Sequence, residues 1–158
     1  MSKVLVISDS HLGLGNLEKI FKKEADADEV LCLGDGIEGL RRCLQRLPEF
    51  RQKEIRMVRG NCDSMCAEPS KRKILIDGHW IFCTHGHVDG VKGSLYELSR
   101  HTAIEGCEAA LYGHTHQPKL TKEQGITLFN PGTAAKGQYG IITTEPDSGE
   151  IRFEHRTL

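Results

Sequence analysis

The chain has 158 residues, 38% of them hydrophobic and 27% charged, a balance that fits a folded globular protein and excludes a disordered one. Acidic and basic residues nearly cancel, to a formal net charge of -1, so charge lends no support to a nucleic-acid partner. The apolar runs are too short for a signal peptide or a membrane span, and a cytoplasmic location is the expectation.

In chain order, Lys3 to Ser8 is an almost unbroken aliphatic run and reads as a strand buried on both faces. Gly13 and Gly15 mark a loop, and Asn16 is expected to cap a helix that carries Leu17, Ile20 and Phe21. Glu29 to Leu33 is the second strand. Ile37 to Leu47 reads as a helix with Leu40, Leu44 and Leu47 on one face and Pro48 as its stop. Ile55 to Val58 is a third strand, followed by Gly60. This alternation predicts parallel strands joined by right-handed crossovers.

The second half reads differently. Lys71-Arg72-Lys73 is taken as the solvated start of a strand. Lys73 to Ile76 and His79 to Cys83 flank Asp77-Gly78, a strong hairpin signal, and Trp80 is expected in the core because its neighbours alternate like a strand. A helix from about Ser94 to Ile104 leads into a strand over Ala109 to Tyr112. Shorter strands are expected near Lys119, over Ile126 to Phe129 and over Gly140 to Thr144. A last hairpin turns at Pro146-Asp147-Ser148-Gly149 and returns through Ile151 to His155. The mixture predicts an α/β fold of two mixed sheets packed face to face with helices outside. No repeat, low-complexity tract or linker interrupts it, so residues 1–158 are expected to form a single domain. The six cysteines read as free thiols, since several lie inside apolar runs, and Cys62 and Cys66 lack the second pair of a zinc motif.

Asp, His and Asn side chains cluster where strands end. Asp9-Ser10-His11 follows the first strand, Gly34-Asp35 the second and Gly60-Asn61 the third. His85-Gly86-His87 and Gly113-His114-Thr115-His116 follow two later strands. Ligands of open α/β sheets collect beyond the carboxyl ends of strands. Each motif alone is weak: Gly-Asp and Gly-Asn usually mark turns, and D-x-H occurs freely in loops. Two H-x-H pairs, whose alternate residues face one side of an extended segment, make the ordered set a metal-site signal. A phosphate ester repels a hydroxide nucleophile, and two cations about 3.5–4 Å apart neutralise that charge and lower the pKa of water. A carboxylate such as Asp35 can bridge them. Imidazole and carboxylate donors suit manganese, iron, nickel or zinc better than calcium.

The order D-x-H, G-D, G-N, H-x-H, G-H-x-H resembles the calcineurin-like metallophosphoesterase superfamily. The short length, Gly60-Asn61-Cys62-Asp63 and Asn130-Pro131-Gly132-Thr133 resemble its small YfcE-like phosphodiesterase branch. The resemblance implies a four-layer α-β-β-α sandwich and hydrolysis of small phosphodiesters by a metal-bridging water or hydroxide. It also implies two divalent ions, with manganese as first choice and nickel, iron or zinc as alternatives. It assigns Asp9, His11 and His116 to one ion and Asn61, His85 and His114 to the other, with Asp35 between. Asn61 is further expected to touch a substrate phosphate oxygen. His87 is expected to orient the nucleophile or act as acid or base, with a plain hydrogen-bonding role as the other reading. Many members have G-N-H where this chain has Cys62. A neutral thiol is a poor general acid for an alkoxide, which points to substrates with good leaving groups such as aryl phosphodiesters; as a side chain, Cys62 is read as filling space.

His79, His101 and His155 are read as surface or packing residues, and Arg41 and Arg42 as solvated helix charges. The first rival to an enzyme is a scaffold like the retromer metallophosphoesterase-like subunit, which would typically have lost a ligand; all seven positions here retain competent side chains. A nuclease would show a basic groove or stacking aromatics, and 6% aromatic content with near-zero charge gives neither. A cyclic-nucleotide phosphodiesterase needs no such surface and stays open. A protein phosphatase fits least, for want of room for large insertions. The expected partner is a small phosphodiester, with no membrane and no nucleic-acid surface; self-association is left open.

Overall fold

The structure, a computed structural model, describes residues 2–158. Ten strands and three α-helices follow in the order β1 (Lys3–Ile7), α1 (Leu14–Lys23), β2 (Glu29–Cys32), α2 (Ile37–Gln45), β3 (Glu54–Met57), β4 (Lys71–Ile76), β5 (His79–Thr84), α3 (Tyr96–Ile104), β6 (Ala109–Leu111), β7 (Lys119–Glu123), β8 (Ile126–Asn130), β9 (Gln138–Thr144) and β10 (Ile151–Thr157). They form two five-stranded mixed sheets, β10-β9-β1-β2-β3 and β4-β5-β6-β8-β7. The first is parallel across β1, β2 and β3 and antiparallel where β9 and β10 join. In the second, β5, β6 and β8 run parallel between two antiparallel edges.

Alternation along the strands builds the layers, since successive side chains point to opposite faces. Val4 and Val6 of β1 pack with Ile74, Ile81, Cys83, Leu111 and Phe129 between the sheets. Leu5 and Ile7 face the other way, onto Leu17, Ile20 and Phe21 of α1 and Ile37 and Leu40 of α2. On the far side, Phe82, Ala110 and Leu128 pack under Leu98 of α3. The expected four-layer α-β-β-α sandwich is therefore present, and its core is three apolar interfaces separated by two sheets.

Local chemistry accounts for most boundaries. Asp77 and Gly78 both have positive φ (45° and 88°), the geometry of a two-residue hairpin turn between β4 and β5. Past α2, a 3-10 turn over Pro48–Phe50 buries Phe50 against Phe21, with ring centroids 5.0 Å apart. Two expectations fail. Helix α1 begins at Leu14, with Gly13 in the cap position. Asn16 lies inside its first turn, and its Nδ2 donates to the Ala135 carbonyl at 2.8 Å, tying the helix to the turn before β9 instead of capping it. Trp80 is 43% exposed. It shares the outer face of β5 with Phe82, but α3 covers Phe82 and leaves Trp80 beside its cross-strand partner Leu75, also exposed, under the Lys73 ammonium. Among the described residues, no helix is long and apolar enough to cross a membrane.

Candidate metal centre

The carboxyl ends of β1, β2, β3, β5 and β6 lie along one edge, where their loops are laced together by main-chain hydrogen bonds. The amide of Asp9 donates to Gly34, that of His11 to Asp35 and that of Gly113 to His85, at 2.9–3.0 Å. Asp9, His11, Asp35, His114 and His116 all adopt left-handed backbone conformations, with φ between 46° and 71°. Such a conformation costs an L-residue about 1–2 kcal/mol. Five strained side-chain-bearing residues, at five of the expected ligand positions on three loops, mark a place where side-chain chemistry outweighs backbone comfort.

Close approach also depends on glycine. A Cβ on Gly113 would stand 1.9 Å from Ser8 Oγ and 2.7 Å from Asp9 Oδ2, and one on Gly60 would stand 2.2 Å from Asp35 Oδ1. The carboxylates occupy the space that any larger residue would need.

Asp9 and His85 are wholly buried. Asp9 Oδ2 accepts the Ser8 hydroxyl at 2.6 Å and the His114 amide at 3.0 Å. Asp9 Oδ1 has no hydrogen-bond partner, yet ring nitrogens of His116, His85 and His11 stand 3.3, 3.8 and 4.0 Å from it. His85 Nδ1 donates to the Leu33 carbonyl at 2.7 Å, so in the neutral ring Nε2 carries the lone pair; Nε2 too lacks a well-formed hydrogen bond and lies 3.1 Å from Asp35 Oδ2. Asp35 Oδ1 accepts the Cys62 amide at 2.8 Å. Buried polar atoms are almost always satisfied, so two unpartnered atoms 3.8 Å apart are the donor pattern a cation would complete. Asp9, His11 and His116 bring one potential ligand atom each to within 4.8 Å of one another, and so do Asp35, His85 and His114. The residues fit divalent ions on either side of Asp35.

Burial opposes charge on Asp35, but the His85 imidazole and the Cys62 amide outweigh it and hold the carboxyl well below the usual range. Burial likewise opposes charge on His85, while Asp35 and Asp9 beside it drive its pKa up. His114 and His87 are pushed down by burial and by the neighbouring His85.

Two expected residues stand apart from these triads. Asn61 is exposed, and its Nδ2 contacts Cys62 Sγ at 3.5 Å. His87 is half-buried, its ring centroid 5.5 Å from that of His85 and 6.2 Å from that of His114, and its Nδ1 is an unpartnered buried atom. Cys62 is exposed, so it does not fill core space. Arg41 pairs with Glu68 and Arg42 with Glu38. His79 binds Glu108 and the Gly149 carbonyl, His101 binds Asp89, and His155 stacks on Phe129, all as structural contacts.

Sequence reasoning missed the residues that hold the loops. The Asp63 carboxylate accepts the amides of Asp35, Gly36, Ile37 and Gly60. Thr133 Oγ1 donates to the Asp9 carbonyl at 2.6 Å, and Asn130 Nδ2 donates to Thr115 Oγ1 and the Gly113 carbonyl. In the sequence Asp63 and the Asn130–Thr133 turn are only parts of motifs; their roles depend on loops far away in sequence.

Residues 2–145 match the family description "Calcineurin-like phosphoesterase superfamily domain". The chain is 29% identical to probable metallophosphoesterase YsnB of Bacillus subtilis over 95% of its own length and 89% of that protein's. It is also 29% identical to phosphodiesterase YfcE of Escherichia coli, over 92% of this chain and 89% of that one. The solved structure of vacuolar protein sorting 29 from Cryptosporidium parvum has the same fold, with a TM-score of 0.70 over 99% of this chain and 98% of that one, at 18% identity.

Proposed function

The chain belongs to the calcineurin-like phosphoesterase superfamily, and from that premise we propose that it is a divalent-metal-dependent phosphodiesterase acting on small phosphodiesters. The observation that carries this reading is the pair of buried orphan atoms, Asp9 Oδ1 and His85 Nε2, between two ligand triads built on strained loops. Asp9, His11 and His116 would hold one ion and His85 and His114 the other, with Asp35 between them. Asn61 would complete the second set once its amide turns from Cys62. Manganese is our first choice for the oxygen and nitrogen donors, with nickel, iron and zinc also suited. When bound, the two ions supply charge neutralisation and a lowered pKa for water.

The chain's own residues do the rest. His85, fixed by the Leu33 carbonyl, keeps one tautomer and so one donor direction. His87 lies beside the second triad, and with Nδ1 buried it would hold a substrate oxygen or move a proton through Nε2. A cavity of about 280 Å³ bordered by Ile37, Arg41, Cys62 and Met65 adjoins the centre and offers a seat for a small ester group. Cys62 in place of a stronger acid favours aryl diesters, whose leaving groups need little protonation. We place the enzyme in the cytoplasm and treat residues 1–158 as one working domain. The sorting-protein likeness is one of fold alone; competent side chains at all seven expected ligand positions favour an enzyme over a scaffold.

The test is turnover of an aryl phosphodiester and its matching monoester by metal-stripped protein, with manganese, nickel, zinc or magnesium restored. Metal-dependent diester hydrolysis, lost in Asp35→Asn, supports the reading. Preference for the monoester would reassign the substrate class, and no turnover with stoichiometric metal bound would favour a scaffold.

A further inference from the structure

The cavity of about 280 Å³ beside the centre is bordered by three sulfur-bearing side chains, Cys62, Met65 and Cys66, together with buried Ile37. Its Cys62 wall meets the centre, since Cys62 Sγ lies within 4.8 Å of a ring nitrogen of His11 and of a carboxylate oxygen of Asp35. Met65 is fully exposed and has a left-handed backbone (φ 58°), so an apolar side chain stands in water at the cavity's border. Glu68 fixes two other parts of the lining. Its carboxylate accepts the Arg41 guanidinium at 2.8 Å and that of Arg72 at 2.9 Å, and its amide donates to Cys66 Sγ at 3.4 Å. The planar guanidinium of Arg41 is thereby held at the cavity's edge.

The carboxylates of the lining are already engaged. Asp63 accepts four backbone amides, and Glu38 pairs with Arg42 at 3.2 Å. Such a wall offers little to the hydroxyls of a sugar or glycerol group. Polarizable sulfur and a guanidinium plane instead suit the edge and face of an aromatic ring. Size narrows the choice further. An apolar cavity of about 150 Å³ accepts benzene, so one of about 280 Å³ admits a single ring system with its substituents and not a second.

We propose that this cavity is an aromatic subsite, taking one aryl or nucleobase ring of a substrate whose phosphate lies at the two ions, with Met65, Cys66 and Arg41 as the residues that select it. The inference rests on the two-ion reading above and deepens it, by naming the ester group and the side chains that choose it.

Calorimetric titration of the manganese-loaded protein with paired anions tests this, because the members of each pair bring the same phosphorus group to the ions and differ only in the ring. Phenylphosphonate is expected to bind about tenfold or more tighter than methylphosphonate. Adenosine 5′-monophosphate against ribose 5-phosphate makes the same comparison for a nucleobase, and the pair with the larger ratio names the ring. Met65→Ser changes a fully exposed position, and Arg41→Lys keeps the charge but loses the plane. Each should cut the aromatic preference about threefold or more, with melting curves confirming that the variant is folded. Equal binding within both pairs in the wild type, or a preference that survives both variants, would overturn the proposal and leave the two-ion reading intact. Absence of manganese-dependent binding for all four anions would remove both.

Discussion

The Asp63 carboxylate accepts the backbone amide of Asp35 at 2.6 Å and, with its other contacts, those of Gly36, Ile37 and Gly60 at 2.9, 3.2 and 2.8 Å. One side chain thereby caps α2, whose own cap residue Gly36 has no side chain, and locks the loop after β3 to the loop after β2. Asp63→Ala is expected to cost about 1–2 kcal/mol in stability through the lost cap. It should also weaken metal binding about 10–100-fold by freeing Asp35. Asp63→Asn, which keeps one acceptor oxygen, should fall between. Denaturant melts and metal titration of the three proteins measure this; unchanged metal affinity in a destabilised Asp63→Ala would refute the positioning role.

The left-handed backbone at His116 makes a second comparison informative. His116→Gly and His116→Ala both remove the imidazole, so the ion-binding loss is common to them. Only glycine relaxes the φ of 62°. The glycine variant should be the more stable of the two by about 1 kcal/mol. Equal melting points would show that the loop is not strained.

At Gly113 the predicted effect is steric. A methyl group there would meet Ser8 Oγ at 1.9 Å and displace Asp9 Oδ2. Gly113→Ala should therefore lose metal affinity, and its melting temperature should drop by several degrees, as expected for an overpacked site costing about 1–3 kcal/mol. Wild-type metal affinity in this variant would mean that Asp9 can move without consequence.

Much of this architecture was readable because single residues carry strong local constraints. The aliphatic run of β1, the Asp77-Gly78 turn and the D-x-H and H-x-H pairs each depend on neighbours within a few positions. What was not readable depends on distant partners. The last hairpin pairs β9 with β1, closing the first sheet rather than extending the second, and nothing near Gln138 signals that choice. Trp80 alternates as a buried residue would, but whether α3 reaches over it is a matter of helix length and placement. Asn16 sits among good helix starters, and the Ala135 carbonyl that claims its amide is 119 residues away. Asp63 and Thr133 look like turn residues until the loops they brace are in view.

A buried carboxylate outside the centre sets a pH dependence. Glu24 is almost fully buried and accepts the Tyr139 hydroxyl at 2.7 Å, the Arg156 guanidinium at 3.0 Å and the Lys3 ammonium at 2.7 Å. Burial opposes its charge, but Lys3, Tyr139 and Arg156 outweigh burial and hold its pKa below the ordinary 4.5. A depressed folded-state pKa gives stability that is complete above the unfolded value and lost as pH falls through the folded one. Melting temperature should therefore fall on acidification below about pH 4.5, and fall less steeply in Glu24→Gln. At neutral pH that variant should be less stable by about 1.5–3 kcal/mol, from the weakened charged hydrogen bonds. Parallel melting profiles for the two proteins would contradict this assignment.

The central claim is that two ions sit on either side of Asp35, and anomalous diffraction from a manganese-soaked crystal, collected at the metal edge, tests it most directly. Two peaks about 3.5–4 Å apart are predicted, one among Asp9, His11 and His116 and the other among His85, His114 and Asn61, with an Asp35 oxygen reaching both. A single peak, or peaks away from Asp9 Oδ1 and His85 Nε2, would contradict it.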